Sequence, residues 1–286
     1  MSSSTTATAP RAVPAPAELA RAFVTPDRSR ARPAWVELPP AQRGELAFDG
    51  ETLALYQWGT EGPVVVLVHG WDGSHADMAG FVAPLLAAGS RVVAFDLPGH
   101  GRSGGEVAPI PVLARAVAAV IAAVGPVAGL IAHSIGCAAS AVAVLEEGAR
   151  VARLAFVAAP ARYLDGARAL AAQMGYDEAA RTAFEAERDR RGSRLHEMNL
   201  PRQARMATVP ALFFHSADDR VVPIAAGRAS ARCSADDRPV NPAPTTHTSQ
   251  LTSADSAGRA GAALAEAAYQ EAACSRAGGG CFTSEG

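Results

Sequence analysis

Residues 127–136 read Val-Ala-Gly-Leu-Ile-Ala-His-Ser-Ile-Gly, and this stretch decides the fold. Its first part, Val127–Ala132, is a continuous apolar run that predicts a strand buried on both faces of a parallel sheet. The segment Ile135–Glu147 that follows has helical spacing. A serine between such elements, flanked two positions away by small residues, is typical of a nucleophile elbow, the sharp turn that exposes a serine hydroxyl. Ser134 is therefore the predicted nucleophile, with Ala132 at the first position of the usual G-x-S-x-G; an ordinary serine in a strand–helix turn is the alternative.

A glycine-rich loop upstream, His69-Gly70-Trp71-Asp72-Gly73, directly follows another buried apolar run. Two glycines let such a loop fold back toward the nucleophile, so the backbone N–H of Trp71 can join that of Ile135 as an oxyanion hole. Each donor of this kind stabilises the charge that develops in acyl transfer by roughly 3 kcal/mol. We interpret His69 as structural, holding the oxyanion turn, and the Trp71 indole as packing or as a substrate contact.

A third loop, Asp96-Leu97-Pro98-Gly99-His100-Gly101-Arg102-Ser103, follows a further buried run. Together with the HGWDG loop and the AHSIG turn, this string resembles the α/β-hydrolase family over about Gly44–Ala272. The three motifs stand in the family's order and on its expected elements. The resemblance implies that His100 and Ser103 are signatures of the fold rather than catalytic groups.

The resemblance also implies a catalytic acid after the predicted strand Ala211–Phe214. The segment His215–Pro223 is similar to the family's G-x-x-D-x-x-V-P, with Ser216 in place of the glycine. This register places the acid on Asp219, and Asp218 is the alternative. A carboxylate at this position holds the base in the correct tautomer and stabilises its charged form.

The base should be a histidine downstream of the acid, because this fold orders its triad as serine, acid, histidine. His247 is the one histidine that qualifies, and it lies 28 residues after Asp219, a separation like the family's. Thr246-His247 departs from the family's Gly-His and follows a proline-rich, polar stretch. A surface histidine is therefore the alternative interpretation of His247.

Apolar β-branched runs alternate with helical periodicity along the chain, which predicts parallel βαβ units. The predicted fold class is α/β, a doubly wound, mostly parallel eight-stranded sheet with a small helical lid, as the resemblance implies. The predicted organisation is a disordered tail over 1–16, a hydrolase core over 17–160 and 210–272, a helical lid insertion over 161–209 and a flexible tail over 273–286.

Three local patterns add detail to this plan. Asp49-Gly50 between two short alternating runs predicts a β-hairpin. Arg238–Ala243 is a poor strand that contains two prolines, and only an edge position accommodates them easily. Ser253–Ala272 is predicted as the final helix.

Specificity is expected to come from the insertion, which is rich in large apolar residues. Tyr163 and Met174 are candidate substrate contacts there, and Trp71 and Phe81 are further candidates on weaker grounds. For each of them, packing of the insertion or of the core is the alternative.

Composition narrows the functional classes. The net charge is −2, and the 26 basic residues, all arginine, form no basic stripe, so no nucleic-acid partner is expected. Gly125-Pro126 interrupts the longest apolar run, which argues against a membrane span. The four cysteines show neither metal-ligand spacing nor a disulfide framework, which favours a reducing, cytoplasmic location. The expected partner is a small-molecule acyl substrate; the oligomeric state cannot be inferred.

These features predict a carboxylesterase-like serine hydrolase that acts on an ester, thioester or related acyl bond and requires no cofactor or metal. Ser134 rather than aspartate at the elbow argues against epoxide and haloalkane chemistry. Carbon–carbon bond hydrolysis and cofactor-free perhydrolysis are alternatives, because the same triad supports them. A non-catalytic small-molecule sensor that uses the same cleft is the alternative from another class.

Overall fold

A single eight-stranded sheet organises the molecule, as seen in a computed structural model that describes residues 13–34, 36–193, 198–217, 219, 221–232 and 241–243. The strands are β1 (Gln42–Phe48), β2 (Glu51–Trp58), β3 (Val64–Val68), β4 (Arg91–Phe95), β5 (Val127–His133), β6 (Leu154–Val157), β7 (Ala211–Ser216) and β8 (Asn241–Ala243). Their spatial order is β1-β2-β4-β3-β5-β6-β7-β8. The six strands β3 to β8 all run parallel to one another. The predicted α/β class and mostly parallel sheet are confirmed.

The antiparallel part of the sheet is the hairpin β1–β2, which joins the rest through β2 and β4. Its turn residues Asp49 and Gly50 have φ of 50° and 81°. A two-residue hairpin of this type requires positive φ at both central positions, which is why Asp-Gly serves there. At the opposite edge, β8 pairs with β7 and carries Pro242 opposite His215. An edge strand tolerates this proline because its missing N–H costs the sheet no internal hydrogen bond.

The helices cover both faces of the sheet. They are α1 (Pro16–Ala22), α2 (Ala79–Ala87), α3 (Ile110–Val124), α4 (Ile135–Leu145), α5 (Tyr163–Gln173), α6 (Glu178–Arg190), α7 (Leu200–Met206) and α8 (Ile224–Ala231). Every residue of β3 is buried. Val64, Val66 and Val68 pack in the core on the side of α3 and α4, whereas Val65 and Leu67 pack on the side of α2. The unbroken valine-rich run is the sequence mark of this two-sided burial.

Three helices, α5, α6 and α7, separate β6 from β7 along the chain. The ends of this insertion meet, since Arg162 and Asn199 form an isolated antiparallel bridge and the N–H of Leu200 donates to the carbonyl of Ala161 at 2.9 Å. The insertion therefore leaves and rejoins the sheet at one place. Its function as a lid stays a prediction.

A segment before the hairpin, residues 13–34, packs along the molecule and is called the N-terminal arm here. Its helix α1 contacts α6, and the hydroxyl of Tyr176 donates to the carbonyl of Pro14 at 2.6 Å. The ring of Phe23 meets that of Phe184 edge to face, with centroids 6.0 Å apart. Residues 13–16 of the tail predicted as disordered thus belong to this arm, and residues 1–12 lie outside the described part. The predicted helix over 253–272 and the tail over 273–286 also lie outside it.

Arg28 of the arm fastens the loop that follows β4. Its guanidinium donates to the carbonyl oxygens of Gly101, Ser103 and Gly105 at 2.8, 2.7 and 2.9 Å. A planar guanidinium presents several donors in fixed directions, so one side chain can bind several carbonyls at once. The arm therefore restrains a loop that lies about 70 residues later in the sequence.

No described helix combines the length and the apolar character that crossing a bilayer requires.

Replacing Arg28 with Gln should lower the free energy of unfolding by about 1–2 kcal/mol, because hydrogen bonds from a charged donor are lost at an exposed position. Urea denaturation followed by circular dichroism measures the change. Arg21→Gln is the matched control, since this exposed arginine of α1 has no side-chain partner among the described residues. Equal stability of the two variants would contradict a fastening role for Arg28.

Candidate active site

Ser134 lies in the turn between β5 and α4, where the backbone adopts φ 52° and ψ −120°. Residues other than glycine rarely occupy this region, and doing so costs of order 1–3 kcal/mol. The N–H of Ser134 donates to the carbonyl of Val157 at 3.0 Å, and the Ser134 carbonyl accepts from Cys137 N–H at 3.0 Å. Hydrogen bonds on both sides therefore hold the strained turn in place.

Two segments are in contact here: the loop His69–Gly73, called the oxyanion turn, and the turn Ala132–Gly136, called the elbow. The glycines of the two motifs allow this contact. A Cβ on Gly136 would lie 2.6 Å from the carbonyl oxygen of His69. A Cβ on Gly70 would lie 2.8 Å from Nδ1 of His133 and 3.2 Å from Cβ of Ser134. A side chain at either position would push the two segments apart. The small residues of the HGWDG and AHSIG motifs are thus explained by a close approach of backbones.

Two backbone donors remain at this junction. Within the described part of the chain, the N–H groups of Trp71 and Ile135 have no hydrogen-bond acceptor. Ile135 is the first residue of α4, whose initial N–H groups have no partner inside the helix. Trp71 follows Gly70, the residue that approaches Ser134. The arrangement is compatible with the predicted oxyanion hole.

His69 links the oxyanion turn to the end of β4. Its Nε2 accepts the N–H of Leu97 at 2.9 Å, so the proton resides on Nδ1, which donates to the carbonyl of Gly70 at 2.7 Å. Complete burial lowers the pKa of His69, so the ring stays neutral and keeps this tautomer. The side chain has the structural position that the sequence predicted.

Asp96 is a fully buried carboxylate behind the same turn. Oδ1 accepts from the N–H of His75 at 2.7 Å and from Nδ1 of His75 at 2.9 Å, and Oδ2 accepts from the N–H of Arg102 at 2.8 Å. Burial alone would raise the pKa of Asp96, but the hydrogen bonds from His75 and the backbone, with His69 nearby, lower it to about 2. Gly101 is required because a Cβ there would collide with this carboxylate.

His100 lies behind Trp71, with the two rings edge to face at 5.3 Å. Its Nδ1 donates to the carbonyl of Pro98 at 2.9 Å. Burial lowers the pKa of His100 to about 3. His100 is therefore a neutral packing residue, in line with its expected role as a signature of the fold.

The N-terminal arm reaches the oxyanion turn through Asp72. The N–H of Asp27 donates to Oδ1 of Asp72 at 2.8 Å, and Arg30 Nη1 lies 3.1 Å from Oδ2. Asp72 has φ of 56°, so the residue next to Trp71 is in a strained conformation that these contacts hold. No motif in the sequence indicated this restraint.

Asp219 follows β7 and is 7% exposed. Its Oδ1 accepts the N–H groups of Val221 and Val222, both at 2.9 Å, and its Oδ2 lies 3.5 Å from Nε2 of His215. The same Nε2 lies 2.7 Å from the carbonyl of Val222, to which it donates. Backbone donors therefore fix one carboxylate oxygen of Asp219. The alternative acid, Asp218, lies outside the described residues.

Ser134 and Asp219 lie at the same edge of the sheet, because β5 and β7 are parallel and only β6 separates them. Neighbouring strands are about 4.8 Å apart, so the two strand ends are roughly 10 Å apart. A histidine between them can contact both side chains. His247 lies outside the described residues, so its role stays a prediction.

A cavity of about 1180 Å³ opens over Ser134. Its wall is formed by the arm, the insertion and the segment after Asp219, and most of its residues are apolar: Phe23, Pro160, Ala161, Tyr163, Ala167, Ala169, Pro201, Val221, Val222, Pro223, Ala225, Ala226 and Ala229. The wall also holds Gly166 and Asn199, together with one aspartate and four arginines. This volume suits a small-molecule ligand.

The four predicted substrate contacts lie in different places. Tyr163 lines the cavity, and its hydroxyl donates to the carbonyl of Ser134 at 2.8 Å. Phe81, 1% exposed, packs in the core on the side of α2, so its position gives no support to a substrate contact. Trp71 and Met174 are partly buried against the main core and do not line this cavity. The sequence could not place Phe81, because an aromatic residue on a helix has the same sequence pattern whether it lines a pocket or packs in a core.

Phe23 is a cavity residue that the sequence did not predict. It comes from the arm, which carries no motif, and its position depends on contacts with α6 that are remote in sequence. The sequence of the arm offers one indication of this packing. Leu19, Phe23 and Val24 form a small apolar group in a segment with few other large apolar residues.

No group of three or more His, Cys, Asp or Glu side chains among the described residues is placed to hold a metal ion.

Comparison with known proteins identifies the family and supports the fold. A family model described as "Alpha/beta hydrolase family" matches residues 65–280, which is more than half of the chain. The chain is 45% identical over 71 residues to a probable oxidoreductase, EphD, of Mycobacterium tuberculosis, covering 24% of this chain and 11% of that protein. It is 35% identical over 94 residues to mouse protein phosphatase methylesterase 1, covering 30% of this chain and 24% of that protein. The chain thus spans less than a quarter of the length of these relatives.

A solved structure of a thermophilic esterase from Thermogutta terrifontis is similar over 80% of this chain and 99% of its own, with a TM-score of 0.62 and 20% sequence identity. At this identity the similarity shows that the two chains share a fold.

Lowering the pH should remove stability that Asp96 contributes. Its pKa is about 2 in the folded state and about 3.9 in an unfolded chain, so the contribution is complete above pH ~4 and is lost as the pH falls toward 2. The shift corresponds to about 2–3 kcal/mol. The free energy of unfolding of Asp96→Asn should therefore fall less steeply between pH 6 and pH 3 than that of the wild type. Glu61→Gln, at an exposed carboxylate without an ion pair among the described residues, should retain the wild-type slope; parallel slopes for Asp96→Asn and the wild type would contradict the prediction.

Tyr163→Phe should lower the free energy of unfolding by about 1 kcal/mol, since one hydrogen bond to the elbow is lost. It should also slow the reaction of Ser134 with a fluorophosphonate probe several-fold, because the turn is less firmly held. Tyr176→Phe, which loses a hydrogen bond to the arm, should reduce stability without changing the labelling rate. An identical effect of both variants on labelling would argue that Tyr163 acts only on stability.

Proposed function

Because the chain belongs to the alpha/beta hydrolase family, we propose that it is a serine hydrolase that cleaves an ester, thioester or related acyl bond through an acyl-enzyme on Ser134. The strained turn that presents Ser134 at the floor of the cavity carries the proposal. A non-glycine residue persists in this conformation only when the surroundings hold it, and such strain concentrates at functional sites.

In the proposed mechanism His247 removes the proton of the Ser134 hydroxyl, whose oxygen attacks the acyl carbon. Asp219 holds His247 in the required tautomer and stabilises the imidazolium that forms. The backbone donors on Oδ1 of Asp219 support this assignment, because they fix the carboxylate in one orientation. The protonated His247 then donates its proton to the leaving group.

The oxyanion of the tetrahedral intermediate is proposed to lie between the N–H groups of Trp71 and Ile135. Both donors lack an acceptor among the described residues, and Ile135 begins α4, whose N-terminus carries partial positive charge. Donors already in place cost no reorganisation as the charge develops. Water then enters, His247 activates it, and hydrolysis of the acyl-enzyme restores Ser134.

Carboxylester hydrolysis is the preferred reaction within this class, and the expected partner is a small-molecule acyl substrate. The cavity is wide and largely apolar, which suits an acyl chain. A cytoplasmic location is proposed as well, because the four cysteines form no disulfide framework in the sequence and Cys137 is a buried free thiol.

The test is covalent labelling of Ser134 by a fluorophosphonate, together with turnover of p-nitrophenyl esters of increasing acyl length. Ser134→Ala should abolish labelling and reduce turnover by about 10⁴-fold or more, as expected for loss of a triad nucleophile. Asp219→Asn and His247→Ala should each reduce turnover by roughly 10³–10⁴-fold. Mass spectrometry of peptides from the labelled protein identifies the modified residue.

Two controls sharpen the result. Ser29→Ala removes an exposed serine of the arm and should leave labelling unchanged. Asp218→Asn should also have little effect, and a larger loss there than in Asp219→Asn would move the acid to Asp218. Folded wild-type protein that neither reacts with the probe nor hydrolyses any ester would contradict the proposal and favour a non-catalytic sensor.

A further inference from the structure

The cavity over Ser134 contains an excess of positive charge. Among the described residues, its wall includes Arg162, Arg202, Arg205 and Arg232, whereas Asp165 is the single acidic residue there. The chain as a whole carries a net charge of −2, so this excess is local. A cleft with walls of low dielectric constant concentrates the field of such charges toward its interior.

Within the ranges that the structure describes, most of these arginines lack the ion pairs that two exposed arginines outside the cavity, Arg115 and Arg168, form. Arg115 and Arg168 form ion pairs with carboxylates at 2.7 and 2.9 Å. In the cavity, Arg162 lies 3.9 Å from Asp165. In the part of the chain that the structure describes, the guanidinium groups of the three other cavity arginines have no carboxylate partner: Arg202, Arg205 and Arg232.

Favourable interaction with helix dipoles explains only part of this set. Arg205 lies in the last turn of α7 and Arg232 caps α8, where cations are favoured. Arg202 lies in the first turn of α7, next to the positive end of the helix dipole, where a cation is disfavoured. Arg202 and Arg205 are three residues apart and therefore lie side by side on α7. Their proximity adds repulsion that no carboxylate among the described residues compensates through an ion pair.

We propose that the site acts on acyl substrates that carry an anionic oxygen group, a carboxylate or a phosphate, and that Arg202 and Arg205 bind this group. The inference rests on the proposed serine hydrolase function and adds a substrate class to it. Guanidinium groups bind carboxylates and phosphates through paired hydrogen bonds, which gives orientation as well as attraction. The arginines of α7 then bind the anionic group, and the apolar surface of the cavity binds the opposite part of the same substrate.

The anion can belong to the acyl chain or to the leaving group, and two matched pairs of substrates separate these sources. The p-nitrophenyl monoester of succinate and p-nitrophenyl butyrate share a four-carbon acyl chain and differ in a terminal carboxylate. Butyryl coenzyme A and S-butyryl-pantetheine share the acyl group and the pantetheine arm, and the first adds the phosphates and the adenosine of the leaving group. For each substrate kcat/KM is measured at low and high salt.

At low salt the wild type should prefer the anionic member of at least one pair by about tenfold, and 1 M salt, which shortens the Debye length to about 3 Å, should remove most of the preference. The double variant Arg202→Gln with Arg205→Gln should lose the preference and hydrolyse the neutral substrates within about twofold of the wild type, because uncharged substrates gain nothing from the arginines. The matched control, Arg21→Gln with Arg181→Gln, removes the same charge from exposed positions outside the cavity and should keep the preference.

A preference in the first pair assigns the anion to the acyl chain, and one in the second assigns it to the leaving group. Equal kcat/KM within both pairs, or a preference that survives the double variant or disappears in the control, overturns the inference. If Ser134 is still labelled in these cases, the proposed serine hydrolase function stands and only the preference for anionic substrates is overturned. If the wild type shows neither labelling nor turnover of any substrate, both proposals are overturned. If the double variant does not fold, the two single variants and the salt dependence of the wild type decide.

Discussion

The site depends on one close approach, that of the oxyanion turn to the serine elbow. The carbonyl of His69 occupies the space that a Cβ of Gly136 would need, and Gly70 lies against Ser134 in the same way. This contact brings the backbone of Trp71 to the start of α4. It can exist only because both loops leave adjacent parallel strands, β3 and β5, at the same edge of the sheet. The strand order of the fold therefore creates the position at which two short motifs meet.

Contacts from outside the motifs keep this junction in its strained form. Asp72 and Ser134 both have positive φ, at 56° and 52°, and each is held by a different part of the chain. The arm binds Asp72 through Asp27 and Arg30, and the insertion binds the elbow through the hydroxyl of Tyr163. Phe23 and Phe184 connect the arm to the insertion. Two of the elements that line the cavity are thus also elements that fix the backbone around Ser134.

The sequence was sufficient for the features that are local. The hairpin turn, the valine-rich strand β3 and the elbow each follow from conformational needs of a few adjacent residues, and each was predicted. The arm was not, because its contacts join α1 to α6 and Arg28 to carbonyls about 70 residues away, and no short pattern encodes them. Phe81 shows the converse limit, since helical spacing of apolar residues cannot distinguish a pocket wall from a core. The arginines of α7 gave no signal either, because only the fold shows which charges share a cavity.

The distribution of charge around Ser134 follows from burial. Asp96 is a buried anion behind the oxyanion turn, but its oxygens accept several hydrogen bonds from His75 and the backbone, which compensate its charge locally. His69 and His100 are neutral because burial lowers their pKa values. The N-terminus of α4 beside Ser134 and the arginines in the cavity wall both favour negative charge on a bound molecule.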